Sequence, residues 1–206
     1  LVYSPADRAG VHCWWRSVAK LAAEQGIPVE LGDLNDPSQI ARLKALEADY
    51  LFSVYYRNMI RKEVLDLFPK GAFNLHGSLL PKFRGRAPLN WALAEGEIET
   101  GVTLHYMVEK PDAGEIVDQE WVPIEEDESA YPVMVKMVDA SVNVFDRSLS
   151  WLERGRAPRL PNDLSKGSYR GARTPEDGRL DFSETAQRCF NLVRAVTHPW
   201  PGAFAM

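Results

Sequence analysis

Gly71-Ala-Phe-Asn-Leu-His-Gly-Ser78 is the stretch on which the fold turns. Its apolar members, Ala72, Phe73 and Leu75, read as a short buried strand, and the strand ends on two polar side chains, Asn74 and His76. Side chains alternate along a strand, so residues two apart share a face. In an open α/β sheet, ligands gather beyond the carboxyl ends of the strands. An Asn-Leu-His strand end followed by Gly77 therefore reads as a ligand-facing edge. The plainer reading is a half-buried histidine donating to a backbone carbonyl.

Upstream, Tyr50 to Tyr55 (YLFSVY) reads as a second buried strand, and residues 59 to 68 as a helix. Asp36-Pro37 supplies an N-cap and a first-turn proline for a helix to about Leu46. Residues 13 to 25 carry a helical period stopped by Gly26. Downstream, Pro88 opens a short helix closed by Gly96; Thr100 to Met107 and Glu115 to Ile124 read as strands; about Ser129 to Arg154 and Asp181 to Val196 read as amphipathic helices. Strands alternating with helices predict a Rossmann-like α/β fold, its sheet mainly parallel, with helices on both faces. Residues 155 to 179 are the most polar and Gly/Pro-dense stretch. The expected division is a catalytic domain over 1–160, a linker over 161–179 and a C-terminal subdomain beginning at 180.

The 206 residues carry a formal net charge of −5 and 45% hydrophobic residues, an ordinary globular balance. An acidic chain is poorly suited to holding long nucleic acid, which needs clustered Lys and Arg. No apolar run approaches the ~18 residues that span a bilayer, and no signal peptide is visible; the expected location is cytoplasmic. Cys13 and Cys189 form no CxxC pair and read as free thiols. His12, His76, His105 and His198 show no metal-ligand spacing, so no metal is expected.

The loop after His76, Ser78-Leu-Leu-Pro-Lys-Phe-Arg-Gly-Arg-Ala-Pro88, holds Arg84 and Arg86, whose planar forks suit carboxylate or phosphate. Lys110-Pro-Asp-Ala-Gly-Glu115 presents Asp112 on a rigid turn. Singly, each has an ordinary reading, as a solvated basic turn or a turn carboxylate. Together, Asn, His and Asp suit acyl transfer to an amine. The amine needs a base or proton relay, the tetrahedral intermediate needs a fixed donor for its oxyanion, and a carboxylate beside an imidazole stabilises its protonated form. Ser78 lacks a nucleophile-elbow motif and neither cysteine has a histidine suitably placed in sequence, so direct attack is expected.

Asn74-Leu-His76 followed by Gly-Ser-Leu-Leu-Pro-Lys-Phe-Arg-Gly, with Asp112-Ala-Gly-Glu-Ile some 36 residues after the histidine, resembles the folate-dependent formyltransferases. The stretches FSVYYRNMI, ETGVTLHYMV and VRAVTHPWPGAF are most similar to the branch that formylates UDP-4-amino-4-deoxy-L-arabinose in lipid A modification and polymyxin resistance. His76-Gly-Ser and Gly85-Arg-Ala-Pro88 differ from the His-Ala-Ser and Gly-Ala-Ala-Pro more usual in methionyl-tRNA formyltransferases, the alternative along with other sugar-nucleotide N-formyltransferases.

The resemblance implies the formyltransferase fold, with the start of a small C-terminal barrel-like domain over 180–206. It implies that the family's opening strand-helix unit precedes Leu1 and that the barrel continues past Met206. The co-substrate it implies is 10-formyltetrahydrofolate, lying against Asn58, Met59, Ile60, Arg86, Val108, Glu109, Lys110, Pro111 and Asp112. Asn74 would stabilise the oxyanion, His76 act as acid/base, and Asp112 raise the His76 pKa. The partners implied are a sugar-nucleotide acceptor, a fused dehydrogenase domain and a homo-oligomer, with neither nucleic acid nor membrane insertion. Trp91 and Trp200 are candidates for the acceptor side, with core packing as the competing reading.

Overall fold

A computed structural model describes residues 1–4 and 16–206. His12, Cys13, Trp14 and the opening of the helix read over 13–25 lie outside the described residues. The chain forms two compact units, Leu1–Ala72 and Phe73–Met206.

In the first unit, β1 (Val2–Ser4) and β2 (Val29–Leu31) pair in parallel, Val2 opposite Val29. The helix α1 (Val18–Glu24) starts at Ser17, whose hydroxyl accepts from the Lys20 N–H. Asp36 caps α2 (Pro37–Ala45) by accepting from the Ser38 N–H at 2.8 Å, and Pro37 opens the first turn. Ile40 and Leu43 are its buried residues. After β3 (Tyr50–Val54), the helix read over 59–68 is reduced to α3 (Lys62–Leu65). The cause is local. Arg61 makes no side-chain cap, while Asn35 donates to the Met59 carbonyl at 2.8 Å and accepts from the Arg61 N–H at 2.9 Å. Those two bonds tie residues 59–61 to Asn35 before the first helical turn.

β4 (Gly71–His76) begins at the junction and runs into the second unit. There follow β5 (Arg84–Gly85), α4 (Pro88–Glu95), β6 (Glu99–Tyr106), β7 (Ile116–Pro123), α5 (Ala130–Glu153), β8 (Tyr169–Arg170) and α6 (Ala186–Val196). β6 pairs antiparallel with β4 and with β7, and β5 pairs parallel with β8. The expected mainly parallel sheet is thus corrected: the strands that carry the candidate site are antiparallel. Strand–helix alternation fails because residues 107–115, between β6 and β7, are a turn with no crossover helix. Gly114 lets that turn close, since a Cβ there would sit 1.9 Å from the Tyr106 carbonyl oxygen.

The barrel expectation is also corrected. Among the described residues no sheet closes on itself; residues 180–206 hold α6 and a single bridge, Arg179 to Phe204. A barrel needs every strand paired on both sides, and a segment that is mostly helix cannot supply that.

Residues 100 to 106 of β6 are buried without a break. Because side chains alternate, both faces of this strand are covered, and α4 and α5 pack against it. α5 presents Val133, Met137, Ala140, Val144, Ser148 and Leu152 as its buried row. No helix among the described residues is long and apolar enough to cross a membrane.

Candidate active site

Antiparallel register builds the site. Asn74 lies opposite His105, and His76 opposite Thr103. The turn after β6 returns Asp112 to the same place, held at φ 49° in the left-handed region, where a non-glycine residue is strained. Three groups secure it. Gly85 N–H donates to Asp112 Oδ2 at 2.8 Å, and Asn162 Nδ2 donates to the carbonyls of Asp112 and Gly114 at 3.1 and 3.0 Å.

Asp112 Oδ1 is the point of convergence. Asn74 Nδ2 donates to it at 3.4 Å, His76 Nδ1 lies at 3.6 Å and His105 Nε2 at 3.5 Å. The three residues named from sequence are therefore brought together, with His105 as a fourth. Sequence reading weighed His105 only as a metal ligand. Its signal was positional, a polar residue within an apolar strand, and needed the β4–β6 register to be interpreted.

Backbone carbonyls fix the tautomers. A carbonyl only accepts, so His76 Nε2–H donates to Phe83 O at 2.9 Å and His105 Nδ1–H to Tyr106 O at 2.8 Å. In their neutral forms His76 Nδ1 and His105 Nε2 carry lone pairs, both aimed at the Asp112 side. Asn74 Nδ2 satisfies the second by donating to it at 3.3 Å. One added proton at His76 Nδ1 would turn a repulsive contact with Asp112 into a charged hydrogen bond.

Burial pushes the His76 pKa down, Asp112 pulls it up, and burial prevails. The expectation that Asp112 raises it describes one contribution, not the outcome. For Asp112, burial pushes upward, but the adjoining His105 and His76 imidazoles and the hydrogen bond from the Gly85 N–H together hold its carboxyl below the usual carboxylate value.

The arginine loop is pinned from the Gly/Pro-dense stretch. Ser168 Oγ accepts from Phe83 N–H, Ser168 O from Arg84 N–H, and Arg170 O from Arg86 N–H. Gly85, at φ 103°, allows the approach: a Cβ would stand 2.1 Å from the Arg170 carbonyl. Arg84 is buried and its Nε has no partner among the described residues, whereas Arg86 is exposed. Ser78, fully buried, donates to Lys82 O at 2.6 Å, a structural role. Val108, Glu109 and Lys110 are exposed and Pro111 half-buried on the turn that ends at Asp112. Asn58, Met59 and Ile60 belong to the first unit, where Met59 is exposed and Ile60 buried.

A cavity of about 650 Å³ lies between α4, residues 170–181 and α6. Four arginines line it, and three are paired: Arg170 with Glu95, Arg179 with Glu176, Arg188 with Glu184. Arg173 has no ion pair among the described residues. Its Nη2 donates to Asp177 O, its guanidinium lies 4.4 Å from the Trp91 ring centre, and its Nε is buried without a partner. Trp91 is half-buried and donates to Gly171 O at 2.9 Å.

Residues 17–149 match the model of the formyl transferase family, and residues 173–206 that of the formyl transferase C-terminal domain. The chain belongs to the formyl transferase family. It is an enzyme of formyl-group transfer. Three solved relatives share its fold. A sugar N-formyltransferase from Shewanella is 20% identical, with TM-score 0.76 over 91% of this chain and 75% of that one. A 4-N formyltransferase from Francisella tularensis is 21% identical, with TM-score 0.77 over 90% and 76%. The N-formyltransferase from Helicobacter canadensis, solved with folinic acid and dTDP-3-aminofucose, is 22% identical, with TM-score 0.74 over 93% and 68%. In this formyltransferase no cluster of His, Cys, Asp and Glu among the described residues is placed to hold a metal ion.

Proposed function

We propose that the enzyme moves a formyl group from 10-formyltetrahydrofolate to the amino group of a sugar nucleotide, and that the acceptor is UDP-4-amino-4-deoxy-L-arabinose. The observation that carries the chemistry is the convergence of Asn74, His76 and His105 on Asp112 Oδ1. The amine nitrogen bonds to the formyl carbon and the carbon's bond to the carrier nitrogen breaks. Asn74 Nδ2 keeps one hydrogen on Asp112 Oδ1 and turns the other from His105 Nε2 to the oxyanion when the substrate binds. The proton released by the amine is held between His76 Nδ1 and Asp112 Oδ1 until the carrier nitrogen takes it.

Folate fits the turn that delivers Asp112. Val108 is an exposed apolar side chain beside the cluster's own loop, and Arg86 is an exposed fork on the loop joined to Asp112 through Gly85. A nucleotide acceptor is supported by the Arg173 cavity. An unpaired guanidinium on a tryptophan face suits a flat base or a phosphate, and β8 ties its rim to Gly85. The sugar itself rests on sequence resemblance; of the solved relatives, the Shewanella protein is a sugar N-formyltransferase and the Helicobacter canadensis protein was solved with dTDP-3-aminofucose. The test supplies 10-formyltetrahydrofolate with the UDP-amino-pentose, a dTDP-amino-hexose or charged initiator tRNA. Formylation of the pentose alone is expected; formylation of the tRNA with neither sugar would overturn the assignment.

A further inference from the structure

Arg84 and Arg194 are equally buried, each 8% exposed, but only one of them has acceptors. Arg194 donates from Nε to Asn191 Oδ1 at 3.0 Å and from Nη1 to the carbonyls of Glu125 and Glu128 at 3.3 and 3.4 Å. Those bonds join α6 to the turn between β7 and α5, a structural task. Arg84 has no ion pair among the described residues, and its buried Nε has no partner there. A guanidinium carries five N–H donors and a permanent charge. Holding one in the interior without an acceptor is unfavourable, so it calls for a role outside the packing of the chain. The backbone locates it. On one edge of β5, Phe83 O accepts from His76 and Gly85 N–H donates to Asp112. On the other, Arg84 and Arg86 N–H donate to Ser168 O and Arg170 O, and Arg170 lines the cavity beside Trp91 and Arg173. Arg84 thus stands between the cluster and the cavity. One hydrogen bond and the peptide link to Gly85 hold its Cα within about 5 Å of Asp112 Oδ2.

We propose that Arg84 binds the diphosphate of the acceptor, an inference that rests on the sugar-nucleotide reading above. In such a molecule the diphosphate joins a base seated against Trp91 and Arg173 to an amine presented to Asn74 and His76. β5 lies between those two places, and Arg84 is its residue with unused donors. Two parallel N–H groups of a guanidinium match two phosphate oxygens. Burial strengthens the attraction by lowering the local dielectric. A phosphate clamped one sugar ring away from the amine also sets how far the amine reaches into the cluster. Arg86, exposed on the same loop, is left for folate, so the two arginines divide the two substrates between them.

Calorimetric titration with UDP, dTDP, uridine and folinic acid, together with thermal melting of the ligand-free protein, tests this. Arg84→Met replaces the guanidinium by an apolar side chain. It is expected to weaken UDP about 30-fold or more, while uridine and folinic acid change by less than about twofold. Its ligand-free melting temperature is expected to equal or exceed the parent's, because an uncompensated buried cation has been removed. Arg84→Lys keeps the charge and loses the fork; it is expected to weaken UDP about tenfold, and it carries the test where Arg84→Met does not fold. dTDP bound as tightly as UDP, with the same dependence on Arg84, would change the base assigned to the acceptor and leave the phosphate contact standing. Arg84→Lys binding UDP as tightly as the parent would overturn the proposal. So would loss of folinic acid in place of UDP, which would put a carboxylate on Arg84, or a parent that binds neither nucleoside diphosphate. A lower ligand-free melting temperature in Arg84→Met with UDP affinity intact would make Arg84 a structural residue, and would overturn it as well.

Discussion

The Asp112 cluster and the Arg173 cavity are both polar regions of the second unit, and they are satisfied in opposite ways. In the cluster both Asp112 oxygens, His76 Nε2, both nitrogens of His105 and the Asn74 amide nitrogen have partners, and His76 Nδ1 faces Asp112 Oδ1 at 3.6 Å, one proton short of a bond. In the cavity three arginines are neutralised, while Arg173 keeps a buried Nε with nothing to bind. An unsatisfied buried donor costs about 1–3 kcal/mol, a cost that a ligand acceptor removes. The contrast separates two tasks. Reaction demands donors fixed before the substrate arrives, and recognition benefits from a group that only the substrate completes.

The sharpest way to break this comparison is to remove members of the cluster. His76→Ala and Asn74→Ala are each expected to lower kcat by ~10²-fold or more with little change in KM, as for interactions made in the transition state. Near-normal turnover in His76→Ala would remove it from proton transfer.

Next comes the strand pair that joins the two regions. Gly85→Ala places a Cβ 2.1 Å from the Arg170 carbonyl at φ 103°. β5 and β8 must separate, and the Gly85 N–H leaves Asp112. Expected losses are about 2–4 kcal/mol in stability and roughly tenfold or more in kcat, read by urea denaturation and steady-state kinetics. An unchanged kcat would show that the cluster does not depend on this bond.

The cavity should respond in affinity instead. Arg173→Ala is expected to raise KM for the nucleotide acceptor about tenfold, worth about 1.4 kcal/mol, with kcat within twofold. Arg173→Lys should not rescue it, since the planar fork and its stacking on Trp91 are lost. A fall in kcat at constant KM would move Arg173 into the reaction machinery and erase the distinction.

Acid tests the cluster's charge state. The His76 pKa is lowered by burial, so the unfolded chain binds a proton that the folded chain refuses. Stability therefore falls as pH drops through the unfolded histidine value, about 6.5. The Asp112 pKa is lowered by its neighbours despite burial; its contribution is complete above about 3.9 and is lost as pH falls further. Both slopes have the same sign, and His76→Gln should flatten the upper one. A parent protein equally stable at pH 7 and pH 5 would contradict the buried neutral imidazole.

Much of this was legible in the sequence because it is local. Asp36-Pro37 marked α2, Pro88 and Gly96 bounded α4, and Asn74, His76 and Asp112 stood at strand and turn ends. What was not legible depends on pairing between distant residues. The antiparallel β4–β6–β7 order follows from a tight turn at Gly114 that strand–helix counting cannot distinguish from a crossover. His105 acquires meaning only opposite Asn74. Residues 167–170 look like linker by composition, yet Ser168 and Arg170 hold the arginine loop in place.

The smallest expected effect distinguishes two basic residues on that loop. Lys82 follows Pro81, is exposed, and pairs with Glu97 at 3.0 Å. An exposed pair of this kind contributes little, so Lys82→Ala should change stability by no more than about 0.5 kcal/mol and leave both substrates' KM unaltered. Arg86, four residues on, continues directly from the backbone that holds Asp112, since its N–H bonds Arg170 O beside Gly85. Arg86→Lys keeps the charge and discards the fork, so it should raise the KM for folate or acceptor a few-fold. The pair of variants is informative together. If both are silent, charge on this loop is solvation and recognition rests with Arg173. If Lys82→Ala also raises KM, the binding surface extends to the loop tip, and the separation between a fixed cluster and an adaptable cavity is less sharp than the hydrogen bonds indicate.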